Sequence, residues 1–112
     1  MPRETVPGER RVALVPEAVG RLTKAGTEVV VESGAGTGSG HDDEAYRKAG
    51  AVVGDRSAAF GADVVVKVQK PSAEEIALLR EGATLVATIQ PLTNADTVRA
   101  LASRRTTAIS MD

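Results

Sequence analysis

Two arginines stand directly before an apolar step in the run Gly8-Glu9-Arg10-Arg11-Val12-Ala13-Leu14-Val15-Pro16. A guanidinium is a planar, permanently charged donor fork that suits a carboxylate or a phosphate, so this run is an address for an anion. A turn at Gly8 lets one of the pair point into a cleft while the other stays solvated. The alternative is that both lie on a solvated loop face, as most charges do. Lys67 is the second candidate, inside Val64-Val65-Val66-Lys67-Val68. An ammonium there is paired, sits at the strand's open end, or packs its stem and extends its head to solvent. If Arg11 and Lys67 converge, they form a two-point clamp of the kind that holds a keto acid or a phosphate. Gln90, followed by Pro91, ends a later strand and opens onto the same edge. Glutamine can orient a polar ligand but cannot exchange protons as histidine can.

Other chemistry is poorly supported. His41 is the single histidine and stands beside Asp42, Asp43 and Glu44 at an expected helix start, which makes neither a catalytic triad nor a metal site. Ser33, Ser39 and Ser110 have no partner base that the sequence identifies, so nucleophilic hydrolysis finds no support. With no cysteine there is no thiolate nucleophile and no disulfide framework. The segment Ser33-Gly34-Ala35-Gly36-Thr37-Gly38-Ser39-Gly40 follows a strand and precedes a helix, where a dinucleotide-binding loop would lie. Its spacing fails, because the third glycine of the fingerprint falls on Ser39 or His41, and Asp55, about where a ribose-binding acid belongs, follows a glycine in an expected turn. The segment reads as a connection that needs glycine for its backbone angles.

Fourteen basic residues balance fifteen acidic ones and aromatics make up 2% of the chain, which removes both the charge footprint and the stacking platform of a nucleic-acid binder. No apolar run approaches the about 20 residues that span a bilayer. The 112 residues are one domain's worth.

Positioning these side chains falls to a repeated grammar of helix, glycine and short β-branched strand. Helices are expected at 17–25, 42–49, 73–81 and 95–104, the first three closed by Gly26, Gly50 and Gly82. Strands follow at 29–31, 51–53, 84–87 and 106–109. The near-continuous valine run at 62–68 reads as a central parallel strand buried on both faces. Alternation of this kind implies right-handed crossovers and a parallel sheet. The expected fold is therefore a single α/β subdomain, Rossmann-like or flavodoxin-like, with helices on both faces and ligands beyond the carboxyl ends of the strands.

Read in order, Pro2-Arg3-Glu4, Gly8 to Leu14, Lys24-Ala25-Gly26, Val31-Glu32-Ser33-Gly34-Ala35-Gly36, Asp43-Glu44-Ala45-Tyr46, Ala62 to Val68 and Glu81-Gly82-Ala83-Thr84-Leu85-Val86 resemble a known domain over nearly the whole chain. It is the N-terminal domain shared by the alpha subunit of proton-translocating NAD(P) transhydrogenase and by alanine dehydrogenase. In alanine dehydrogenases the arginine before Val-Ala-Leu and the lysine of the valine strand hold the substrate, and a catalytic histidine ends the later strand. Arg11 and Lys67 match the first two positions, and Gln90 stands at the third. The resemblance thus favours the transhydrogenase branch, where hydride passes directly from NADH to NADP and no substrate acid or base is needed.

What this implies is one wall of an NAD(H) cleft, with the main NAD loop in a second domain after residue 112. The chain is expected to be truncated before that domain, to bind no dinucleotide tightly and to be inactive alone. The complete protein is expected to be a homodimer on the cytoplasmic side of a bacterial inner membrane, docked to an NADP-binding component and a proton-conducting membrane subunit. Alanine or another amino-acid dehydrogenase is the alternative within enzymes. A non-catalytic anion-binding or assembly module is the alternative outside them.

Overall fold

The computed structural model describes residues 1–112. Five helices alternate with five parallel strands: α1 (Pro16–Lys24), β1 (Val30–Glu32), a 3₁₀ turn (Thr37–Ser39), α2 (Asp43–Lys48), β2 (Val52–Gly54), α3 (Arg56–Phe60), β3 (Val64–Val66), α4 (Ala73–Leu78), β4 (Thr84–Ala87), α5 (Ala95–Ser103) and β5 (Thr107–Ser110). The α/β class and the parallel pairing expected from the sequence are both present.

The local signals explain most boundaries. Pro16 opens α1, where its missing N–H costs nothing. Asp42 caps α2 by accepting from the Ala45 N–H at 2.9 Å, and its acids precede Arg47 and Lys48 in the order the helix dipole favours. Gly26 and Gly50 follow their helices at φ +92° and +98°, a backbone that costs glycine little. Gly82 also has a positive φ, but α4 ends at Leu78, so this glycine sits in the turn between Arg80 and Ala83.

Three further features differ from expectation. The strands form two hydrogen-bonded ladders, β1-β2 and β3-β4-β5. The valine strand β3 is the edge of the second ladder, and β4 is its centre. Val65 is fully buried but Val64 is 52% exposed, so β3 is covered on one face, not both. A continuous apolar run reports a strand's composition, and its place in the ladder is a property of the neighbours. Finally, α3 occupies residues read as a turn: Asp55 caps it by accepting from the Ala58 N–H at 2.8 Å. Five residues are too few to show a helical period.

Each ladder has its own core. Met1, Val19, Val29, Val31, Ala35, Tyr46 and Ala51 pack around the first, and Phe60, Val65, Ile76, Leu79, Leu85, Ala87, Ile89 and Leu101 around the second. The N-terminal segment joins the two halves. The Met1 amine donates to the Val30 carbonyl at 2.7 Å and the Glu32 N–H donates to the Met1 carbonyl at 3.0 Å, which lays the segment along β1. Three residues on, the Glu4 carboxylate accepts from the Val68 N–H at 2.8 Å and the Gln69 N–H at 3.1 Å, beyond the end of β3.

Candidate functional site

The Glu4 carboxylate fixes the fate of Lys67. The ammonium is 1% exposed, lies 3.2 Å from Glu4 Oε1 and 3.9 Å from Glu75 Oε1, and donates to the Gln69 carbonyl at 2.6 Å. Of the options open in the sequence, the structure realises the paired one. A buried cation needs such partners, because desolvating it alone costs several kcal/mol. Glu75 is shared in turn. One of its oxygens accepts from the Ser72 N–H at 2.9 Å, and its own N–H donates to Ser72 Oγ at 3.1 Å, closing a capping box on α4. The other accepts from Arg56 Nη2 at 2.6 Å, and Arg56 also reaches Glu32 of β1 at 3.1 Å while lying over the Phe60 ring. A chain of charges thus runs from β1 to the end of β3.

Arg11 joins that chain from outside. Its backbone N–H, Nε and Nη2 all donate to Glu9, at 2.9, 2.8 and 3.0 Å, and Gln69 Nε2 donates to the same carboxylate at 2.7 Å. The Arg11 side chain is 70% exposed and that of Glu9 only 7%. Donation from Arg11 and then from Gln69 holds the Glu9 carboxyl down at about 2, and Glu9 raises the Arg11 guanidinium in return. Arg11, by way of Glu9, and Lys67 directly are therefore both linked to Gln69. Their heads are turned to Glu9 and to Glu4, so the pair is not an open two-point clamp.

Beside them is a polar cleft of about 370 Å³, between Arg3, Glu9, Arg10 and Arg11 on one side and Gly34, Thr37 and Gly38 on the other. Arg10, the other member of the arginine pair, is exposed and lines this cleft as well. Its backbone closely approaches Gly38, where a Cβ would lie 3.4 Å from the Arg10 Cα. Neither Arg3 nor Arg10 has an ion-pair partner. The cleft can therefore attract an anion. Gln90 lies apart from it: it does not line the cleft, it has φ +51°, and its N–H donates to Asp112 Oδ1 at 3.2 Å.

The glycine-rich connection forms one wall, but its N–H groups are largely engaged. Gly34 donates to Asp43 Oδ1 at 2.9 Å, while Ala35, Thr37, Ser39, Gly40 and His41 donate to carbonyls of the same turn. The Ser33 hydroxyl donates to Asp43 Oδ2 at 2.6 Å, and these two bonds lower the Asp43 carboxyl. Gly36 is needed for packing, since a Cβ there would lie 2.6 Å from the His41 carbonyl and from the Tyr46 ring. The turn is thus built to close on itself. His41 packs edge-on to Tyr46, with ring centres 6.4 Å apart, and lines no part of the cleft.

Sequence reasoning missed Glu4, Gln69, Glu75 and Arg56. Only Glu75 carried a local signal, the Ser-x-x-Glu spacing of a capping box. The rest are joined by contacts of 19 to 65 residues' separation, which no local pattern reports.

The parallel α/β architecture thus carries, beside its first loop, a cleft lined by three arginines and two glutamates. A family model described as "Alanine dehydrogenase/PNT, N-terminal domain" matches residues 1–112, and the chain belongs to that family. It is 41% identical to NAD(P) transhydrogenase subunit alpha of Cereibacter sphaeroides, over 99% of this chain and 22% of that protein. It is 37% identical to alanine dehydrogenase of Bacillus subtilis (strain 168), over all of this chain and 30% of that protein. Among solved structures, the transhydrogenase from Sinorhizobium meliloti matches with a TM-score of 0.93 and 44% identity, over 97% of this chain and 33% of the other. An L-alanine dehydrogenase matches with a TM-score of 0.95 and 33% identity, over 97% and 30%. The chain spans less than a third of the length of the Cereibacter and Bacillus relatives.

Proposed function

We propose that the chain is the first subdomain of an NAD(P) transhydrogenase alpha subunit, forming one wall of an NAD(H) cleft. The observation that carries this is chemical. The cleft offers guanidiniums for an anion, while its two carboxylates are held by donors and no histidine lines its wall. Direct hydride transfer between dinucleotides asks for binding and orientation, not for a substrate acid or base. Gln90, which follows β4 apart from the cleft, cannot exchange protons either, and the name of the Cereibacter relative agrees with the reading.

On this reading Arg11 lines the cleft and Lys67 acts on it through Glu4 and Gln69, while Gln90 stands apart from it. The main dinucleotide loop belongs to a second domain of the longer protein, which supplies NAD(H) binding. That protein works as a homodimer on the cytoplasmic side of a bacterial inner membrane, beside an NADP-binding component and a proton-conducting membrane subunit. No helix of this chain is long and apolar enough to cross a membrane. A second reading, an alanine dehydrogenase domain, is favoured by the 0.95 TM-score and by the presence of Arg11 and Lys67.

Two assays separate them. A longer polypeptide that includes this domain should pass hydride from NADH to an NADP analogue once its partner component is added, and should not oxidise alanine. Alanine-dependent NADH formation would overturn the transhydrogenase assignment. Calorimetric titration of the 112-residue chain should show no tight NADH binding; sub-micromolar affinity would place the dinucleotide site here instead.

A further inference from the structure

The two ladders leave a slot between them. In β1 the Val52 N–H donates to the Val29 carbonyl and the Ser33 N–H to the Gly54 carbonyl, so Val29, Val31 and Ser33 face β2 while Val30 and Glu32 face away from it. In β3 the Thr84 N–H donates to the Asp63 carbonyl and the Lys67 N–H to the Val86 carbonyl, so Asp63, Val65 and Lys67 face β4 while Val64 and Val66 face away. Neither edge pairs with another strand of the ladders.

The N-terminal segment fills only part of that slot. The Met1 amine donates to the Val30 carbonyl at 2.7 Å and the Met1 carbonyl accepts from the Glu32 N–H at 3.0 Å, the pattern of a parallel pair. Glu4 then caps Val68 and Gln69 at the carboxyl end of β3, so one segment follows both edges in the same direction. On these edges the Val30 N–H and the N–H and C=O groups of Val64 and Val66 have no hydrogen-bond partner, and Val64 is 52% exposed. An unpaired edge is a template for another strand, and two such edges flanking one slot can hold a strand from both sides. The walls set its chemistry. Val29 and Val31 belong to the first core and Val65 to the second, so a strand between them meets apolar neighbours and would leave a charge unpaired. β1 and β3 are three residues each, which a strand of about four residues matches.

We propose that this slot is a receptor for an extended apolar peptide of another molecule, which enters parallel to β1 and β3 with its carboxyl end toward Met1 and pairs with both edges. Its binding turns the two ladders into one sheet of order β2-β1-peptide-β3-β4-β5. The outer edges, β2 and β5, offer a peptide pairing on one side only and are the weaker sites. The inference uses neither the polar cleft nor NAD(H), so it stands or falls apart from the transhydrogenase reading.

The test titrates the intact 112-residue chain, Met1 included, with an acetylated peptide of two lysines followed by four valines, and follows amide NMR signals and hydrogen exchange. The lysines stay at the solvated amino end and keep the peptide soluble. The amides of Val30, Val64 and Val66 should shift saturably and exchange at least about tenfold more slowly in the complex. A peptide with proline in place of the third valine lacks one N–H and should bind at least about tenfold more weakly. In the protein, Val64→Pro removes an N–H that faces the slot and none that bonds β4, so it should fold as the parent does and lose binding to a similar extent. No saturable response at Val30 and Val64 would overturn the proposal, as would equal binding of the proline peptide. A folded Val64→Pro that binds as tightly as the parent would do the same, and if that variant does not fold the proline peptide carries the comparison. Protection confined to β5 would assign the peptide to the outer edge and sink the slot.

Discussion

The end of β3 and the flank of β5 treat their surroundings in opposite ways. At the end of β3, Lys67, Glu4, Glu75 and Arg56 are partnered, and the backbone N–H groups of Val68 and Gln69 are capped by a carboxylate. Along β5 and α5 lies an open groove of about 270 Å³ lined by Ile89, Val98, Leu101 and Ala108, and Ile109 on the same edge strand is 52% exposed. The difference follows from two costs. Leaving apolar area in water costs about 25 cal/mol per Å², so a groove can remain open at modest expense. Leaving a charge buried and unpaired costs several kcal/mol, so the polar end has to close on itself.

The comparison breaks most visibly at Glu4. Glu4→Ala leaves Lys67 without its nearest carboxylate and two backbone N–H groups uncapped, and should cost about 3 to 5 kcal/mol in urea unfolding. A loss below about 1 kcal/mol would show that the network is not what ties the ladders together. Next comes Leu101→Ala, which removes a buried side chain beside the groove. Its cost should fall at about 2 to 3 kcal/mol, in the lower part of the large-to-small range, because the open groove lets the site relax. Ser72→Ala removes the α4 cap while keeping Glu75 on Arg56, and should cost about 1 kcal/mol by thermal or urea unfolding.

A pH titration probes the polar end through Glu9. Its folded carboxyl lies at about 2, below the ordinary value of 4.5. The unfolded chain therefore binds more protons between these values, and stability rises with pH across that window. The contribution should be complete above about 4.5 and disappear as pH falls toward 2, while Glu9→Gln should flatten that part of the profile. The smallest effect is expected on the flank. Val98 lines the groove and is 41% exposed, so Val98→Lys should change stability by no more than about 0.5 kcal/mol. A large loss there would mean that the flank is core after all.

How far the sequence reaches is clear at particular residues. The glycines after α1 and α2, the proline opening α1 and the Asp42 cap are short-range devices, and each stands where its pattern places it. Helix α3 is too short to have a period, and its Asp55 cap looks the same as a turn aspartate until the Ala58 N–H is placed. The valines of β3 announce a strand but not its edge position. The candidate site follows the same division. Arg11 and Lys67 were legible because a cation beside apolar residues is conspicuous, whereas their partners are ordinary glutamates at ordinary positions.

By itself, then, the sequence determined the α/β alternation, the parallel class and which cations stand beside apolar residues, because helix caps, β-branched runs and residue charge act over a few residues. Tertiary structure alone decided that the strands divide into two ladders joined by the N-terminal segment, that Lys67 is bound to Glu4 across 63 residues, and that the Gln69 amide reaches Glu9 across 60. The reason is electrostatic: a buried charge takes whichever partner the fold brings within reach, and that identity exists only once the chain is folded.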